Sequence, residues 1–279
     1  MTVVRGREGV WMVPGSGWSL AYRLWRPPSS PRCLVVLVHG FGEHGGRYEP
    51  LAQALTALGI AVAAPDLRGH GRSQGVRGDI DRFSRYAQDL QAFTDAVALP
   101  WAGQPRFAIF GHSFGGLVAI HWAARHPTAL DRLIVQSPLI DVGFPVPRWK
   151  IRLGEWLSRW LPRTRLSINL DAAALTHDAA IVAAYRCDPL VHDRISARAY
   201  QALVVAEQEA LASAPRLRVP TLLFCGEEDH VVSVAAARRW FKRLTCEKRL
   251  VSFPGAYHEL HHESVREEVV RCAAEWLLP

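Results

Sequence analysis

The sequence predicts an α/β fold: a mostly parallel eight-stranded sheet flanked by helices, with an inserted helical cap. Three observations lead there. Short apolar runs alternate with helix-like stretches along most of the 279 residues, the pattern of parallel strands joined by covering helices. That alternation lapses for roughly 80 residues between Pro138 and Pro220, too long for one structureless loop in a compact domain. Finally, the pentapeptide Gly111-His112-Ser113-Phe114-Gly115 stands between an apolar run and a helix-like run.

Taken in order, residues 10–14 and 18–25 flank Gly15-Ser16-Gly17 and read as an opening antiparallel hairpin. Residues 33–38 form a buried strand, followed by a glycine-rich turn and a helix over 48–58. Another strand over 59–64 ends at Pro65-Asp66, and 82–99 has helical spacing. Residues 106–110 read as a buried strand, and 116–126 as a helix that Pro127 stops. Residues 132–136 form a strand ending at Ser137-Pro138. The last strands, 221–225 and 249–253, are each followed by a helical stretch. The core is therefore expected over 1–138 and 219–279, with the cap over 139–218. Within the cap, Leu153, Trp156, Leu157, Trp160 and Leu161 follow the spacing of one helical face, surrounded by Arg148, Lys150, Arg152, Arg159, Arg163 and Arg165. A basic, Trp-bearing helix suits a membrane interface. The same stripe also suits packing on the core or lining a substrate entrance.

Composition narrows the class. With 49% hydrophobic residues, the chain can bury a large core in one α/β domain with an insertion. No run approaches the roughly 18 uninterrupted apolar residues of a membrane span. Charge at Arg5, Arg7 and Glu8 falls where a secretory signal needs its apolar core. A cytoplasmic protein, with peripheral membrane contact through the cap as an open alternative, is expected. Cys33, Cys187, Cys225, Cys246 and Cys272 lie far apart, which supports neither a disulfide framework nor a zinc site. The net charge of +7 comes from scattered arginines. It forms no nucleic-acid signature, although attraction to anionic lipid headgroups fits.

A Gly-x-Ser-x-Gly string between strand and helix is a nucleophile elbow, in which the serine takes a strained turn and the glycines remove colliding side chains. A serine hydroxyl needs a base, and the base an orienting carboxylate. In α/β-hydrolases these follow in the order Ser, Asp or Glu, His, on loops after strands. Asp229, in Gly226-Glu227-Glu228-Asp229, and His258, in Pro254-Gly255-Ala256-Tyr257-His258, fill both positions. Glu227 and Glu228 compete with Asp229, as do His261 and His262 with His258. Oxyanion donors are expected from the Phe114 N–H and, in the turn His39-Gly40-Phe41-Gly42, from the Phe41 N–H. The string His258-Glu259-Leu260-His261-His262 satisfies His-Glu-x-x-His. That zinc pattern needs a helix and a third ligand, whereas here it follows a Pro-Gly turn, so no metal is expected.

Four segments carry a family resemblance: His39-Gly40-Phe41-Gly42-Glu43-His44-Gly45-Gly46-Arg47-Tyr48, Asp66-Leu67-Arg68-Gly69-His70-Gly71-Arg72-Ser73-Gln74-Gly75, Cys187-Asp188-Pro189-Leu190 and Gly255-Ala256-Tyr257-His258-Glu259-Leu260-His261. With the elbow they resemble the monoglyceride lipase and lysophospholipase branch of the α/β-hydrolases. The resemblance implies hydrolysis of a single acyl chain from a small polar alcohol, with no cofactor. It also implies that Glu43, Arg47, Tyr185 and His261 hold the glycerol end, although Glu43 and Arg47 equally suit bracing of the turn. Asp66, Arg68 and His70 are expected to tie down a loop. Lysophospholipase, acyltransferase and aminopeptidase activity remain alternatives using the same triad.

Overall fold

The computed structural model describes residues 6–13, 17–143 and 148–278. Residues 1–5 of the charged start, Pro14, Gly15 and Ser16 at the predicted opening turn, and the side chains of Arg148 and Lys150 lie outside the described residues. The strands are β1 (Arg7–Val13), β2 (Trp18–Trp25), β3 (Cys33–Val38), β4 (Ile60–Pro65), β5 (Arg106–His112), β6 (Arg132–Gln136), β7 (Arg165–Ser167), β8 (Arg194–Ser196), β9 (Thr221–Gly226) and β10 (Lys248–Phe253). Eight of them form one sheet in the order β1-β2-β4-β3-β5-β6-β9-β10. The β1–β2 and β2–β4 pairings are antiparallel, and the rest are parallel. The expected mostly parallel sheet is therefore what the chain forms.

Every residue of β3 and β4 is buried, as expected for strands covered on both faces. Side-chain alternation sends Leu34, Val36 and Val38 into one core and Cys33, Val35 and Leu37 into the other. Helices α1 (Glu49–Ala57) and α9 (Arg266–Leu277) cover the second core; α2 (Ser84–Phe93), α4 (Phe114–Arg125) and α8 (Val234–Lys242) cover the first. The helix read over 82–99 runs further. A π-turn over Thr94–Ala98 follows α2 and leads into α3 (Leu99–Ala102), where Pro100 sits in the first turn. Proline is tolerated there because its missing N–H has no helical acceptor to reach.

Between β6 and β9 the chain forms α5 (Arg148–Trp160), α6 (Ala179–Cys187) and α7 (Ala197–Ser213). It also forms an antiparallel β7–β8 ribbon that the sequence reading did not include. Helix α7 rests on α4, with His121 Nε2 2.8 Å from Ala206 O. Gly154 of α5 lies against the Tyr200 ring of α7. Of the apolar stripe on α5, Leu157 is buried, whereas Leu153, Trp156, Trp160 and the following Leu161 are 44–63% exposed. Most of the stripe thus faces outward rather than into the core. No helix among the described residues is long and apolar enough to cross a membrane.

Candidate active site

Ser113 sits between β5 and α4 at φ 53°, ψ −117°, a conformation unfavourable for any residue with a side chain. The end of β6 and the loop after it hold it there: its N–H donates to Gln136 O at 2.9 Å, and its carbonyl accepts from Leu139 N–H at 3.0 Å. The flanking glycines have a steric reason. A Cβ on Gly115 would overlap the Val38 and His39 carbonyl oxygens, and one on Gly111 would lie 2.5 Å from Gly115 O. The candidate nucleophile Ser113 therefore stands at the head of α4, where the helix N-terminus favours negative charge.

Asp229 follows β9 and His258 follows β10. Their side chains meet at 2.7 Å, Nδ1 to Oδ2, and are 3% and 1% exposed for His258 and Asp229 respectively. The second Asp229 oxygen accepts from the Val231 and Val232 N–H groups at 2.8 and 3.0 Å. Burial opposes charge on His258, but the Asp229 carboxylate outweighs it and the imidazole pKa is raised. Burial likewise opposes charge on Asp229, yet His258 and the two N–H donors bring its pKa down. An ionised Asp229 can only accept, so His258 carries its proton on Nδ1 and presents a lone pair at Nε2. The competing carboxylates are turned outward: Glu227 pairs with Arg238 at 2.6 Å, and Glu228 is exposed. The His258 ring packs 4.7 Å from that of His112, the residue before Ser113.

The Phe41 and Phe114 rings meet edge to face at 5.5 Å. Among the described residues no backbone carbonyl takes the N–H of either. Gly42 beyond them has φ +76°, which a glycine adopts without strain.

Glu43, Arg47, Tyr185 and His261 are brought together, but their states differ. Glu43 Oε1 accepts from Gly40 N–H and Tyr48 Oη, both at 2.6 Å, while its other oxygen pairs with Arg47. Arg47 also forms a two-pronged bridge to Glu259 at 2.6 and 2.7 Å, and its guanidinium lies 4.7 Å from the Tyr185 ring centre. Glu43 and Arg47 are thus committed to bracing contacts. Burial raises the Tyr185 pKa, keeping the phenol protonated. His261 stacks on Tyr48 at 4.5 Å and lies 2.8 Å from Gln136 Nε2 through Nδ1. Its buried Nε2 has no partner among the described residues. Burial holds His261 well below the ordinary histidine pKa. Gln136 escaped the sequence reading, and Glu259 entered it only within the His-Glu-x-x-His string, not as a partner of Arg47. A polar residue closing the apolar run Leu133-Ile134-Val135 was the available signal for Gln136.

The His-Glu-x-x-His string is not on an α-helix; Leu260–His262 is a short 3-10 turn. His258 turns to Asp229, while His262 bonds Glu259 through Nδ1 at 2.7 Å and Arg47 O through Nε2 at 3.0 Å. Glu259, His261 and His262 do bring ligand atoms within 4.8 Å of one another, but the Arg47 cation beside Glu259 opposes a second positive charge. Asp66 accepts from the Gly45 and Arg72 N–H groups, each at 2.9 Å, and Arg68 binds Asp89 at 2.8 and 2.7 Å. Both brace loops.

Residues 29–265 match the family model described as serine aminopeptidase, S33. The chain is 33% identical over 264 residues to a monoacylglycerol lipase of Mycolicibacterium smegmatis, covering 94% of each. It is 33% identical over 265 residues to an uncharacterized abhydrolase domain-containing protein of Dictyostelium discoideum, but spans only 28% of that protein's length. Among solved structures, the monoacylglycerol lipase of Paleococcus ferrophilus superposes with a TM-score of 0.84 at 33% identity, over 92% of this chain and 98% of that one.

Proposed function

This chain belongs to the serine aminopeptidase S33 family, and on that premise we propose that it is a serine carboxylic-ester hydrolase acting as a monoacylglycerol lipase. The observation that carries the reading is the Asp229–His258 pair, whose imidazole packs on His112, the neighbour of a Ser113 held at positive φ. In this reading His258 Nε2 takes the Ser113 proton as Oγ attacks the ester carbonyl. The Phe41 and Phe114 N–H groups hold the oxyanion, glycerol leaves with the proton from His258, and water activated by His258 releases the fatty acid. The full names of the Mycolicibacterium and Paleococcus relatives support glycerol esters as the substrate class.

Two finer parts of the reading concern the cap, residues 139–218. Tyr185 and the unpartnered His261 Nε2 supply the polar contacts to the alcohol, with Glu43 and Arg47 bracing them. Exposed Trp156 and Trp160 beside Arg152 and Arg159 suit peripheral contact with an anionic lipid surface. Ser113→Ala tests the reading. It should abolish fatty-acid release from monoacylglycerol while leaving the circular dichroism spectrum intact; substantial residual release would remove the proposal. Running lysophospholipid and amino-terminal peptide substrates beside it separates the alternatives.

A further inference from the structure

The turn that carries Phe41 is not held by the core alone. The chain between α6 and β8 descends onto it, and the His192 N–H donates to Gly42 O at 2.8 Å. Contact there is close enough that a Cβ on Gly42 would collide with the His192 carbonyl oxygen. The His192 imidazole stands edge-on to the Phe41 ring at 5.6 Å and 5.1 Å from the His70 ring. Phe41 in turn contacts His70 at 5.3 Å and Phe114 at 5.5 Å. The rings of both oxyanion donors therefore belong to one aromatic cluster, and His192 is a member supplied from outside the core.

The His192 ring makes a hydrogen bond of its own. Its Nδ1 accepts from the Arg194 N–H at 3.3 Å, which places the ring proton on Nε2. Burial, reinforced by Arg77, lowers its pKa to about 4, so the ring is neutral near pH 7. A second anchor lies four residues earlier, where Asp188 Oδ2 meets His44 Nε2 at 2.8 Å. Phe41 is thus flanked by a neutral ring and, at the next residue, a main-chain hydrogen bond.

We propose that His192 is a positioning residue for the oxyanion site, aiming the Phe41 N–H by packing on its ring and bonding the next carbonyl. An amide that must meet an oxygen developing charge at about 2.7–3.1 Å is sensitive to small displacements. Losing the ring alone frees Phe41 to rotate its peptide away. Such a defect weakens the tetrahedral state more than the ground-state complex, so it appears in kcat rather than KM.

The inference rests on the reading of Ser113 as nucleophile, and its test separates the two. The second-order rate of Ser113 labelling by a fluorophosphonate is measured with affinity for a trifluoromethyl ketone, whose adduct carries an oxyanion. Monoacylglycerol kcat and KM are measured in parallel. His192→Ala should lower labelling, ketone affinity and kcat together by about 10- to 100-fold, with KM within about twofold. His192→Phe, which restores a ring, should recover most of the loss. Arg198→Ala, which breaks the Arg198–Asp79 ion pair at the start of α7, should lower Tm without this pattern. Unchanged ketone affinity in His192→Ala, or the same loss in Arg198→Ala, would overturn the inference. Should His192→Ala lose its fold, comparison of His192→Phe with His192→Leu carries the test at retained volume. Labelling without monoacylglycerol turnover by the parent protein would sink the substrate reading and leave this one measurable.

Discussion

Arg47 and Glu259 stand 212 residues apart in the chain and meet through two hydrogen bonds of 2.6 and 2.7 Å. Glu259 directly follows His258, and Arg47 lies just beyond the Phe41 turn, so one buried pair joins the loops on either side of Ser113. Both side chains are under a tenth exposed. Glu43 shares the same guanidinium, and Arg47 holds the Glu259 pKa well below the usual carboxylate range against the opposing effect of burial.

Removing Arg47 leaves two buried carboxylates without their cation. Arg47→Met should therefore destabilise the protein by about 3–5 kcal/mol, measured by urea denaturation. A change below about 1 kcal/mol, the scale of an exposed pair, would show that the bridge is not formed as described.

With His258 as the proposed base, the pH dependence of kcat/KM follows from its titration. The base must be neutral, so activity rises with pH through its pKa. Burial depresses that pKa and Asp229 more than offsets it, placing the acid limb above the ordinary histidine value. Asp229→Asn should move the limb downward and lower kcat by about 10⁴-fold, the scale seen when a triad histidine is held in the wrong tautomer. An unmoved limb would argue against Asp229 as the partner that sets it.

Stability should fall on mild acidification. Burial lowers the pKa of His39, His70, His112, His121, His192 and His261. For His112 the folded value is about 3, against 6.5 in an unperturbed chain. The unfolded chain therefore takes up protons that the native state refuses. Stability is full above the unfolded pKa and falls as pH drops towards the folded one, by up to about 1.4 kcal/mol per pH unit for each such group. His258 has the opposite sign, its contribution being present at low pH and lost as pH rises through its raised value. The depressed groups outnumber it. Urea midpoints from pH 7 to pH 5 should decline steeply, and a flat profile would contradict the neutral histidine cluster.

The exposed face of α5 gives a membrane prediction. Trp156→Ser/Trp160→Ser should reduce flotation with anionic vesicles by about tenfold or more. Hydrolysis of a short water-soluble ester should stay within about twofold of the parent. Equal flotation of both proteins, or none by the parent, would remove the interfacial reading.

The sheet was legible because β3, β4, β5 and β9 are apolar runs bounded by turn residues, and both flanking cores depend on that pattern. Ser113 was legible because its glycines answer a local steric demand. The β7–β8 ribbon was not. Arg-Leu-Ser and Arg-Ile-Ser are too short to show alternation, and each strand exists only because the other lies beside it. The bracing role of Glu43 and Arg47 was anticipated, but not the share of Glu259 in it, since Glu259 reaches them through tertiary structure alone. Residues 82–99 showed the helix but not its extension, because Pro100 normally signals an end and here occupies a new first turn.

Two loops around Ser113 lean on the stretch between β6 and β9 through main-chain atoms: Glu259 N–H on Leu175 O at 2.8 Å, and Gly42 O on the His192 N–H at 2.8 Å. Bonds of that kind ask nothing of side-chain identity. Apart from the His192 ring, the stretch can therefore drift widely in sequence, and with it the surface offered to an acyl chain, while its seats on the core persist. Changes of length between those seats are another matter, because one inserted residue shifts which carbonyl arrives. Variation in this part of the molecule is thus open to substitution away from His192 and closed to insertion near residues 175 and 192, which makes it a place where specificity can change without the fold being renegotiated.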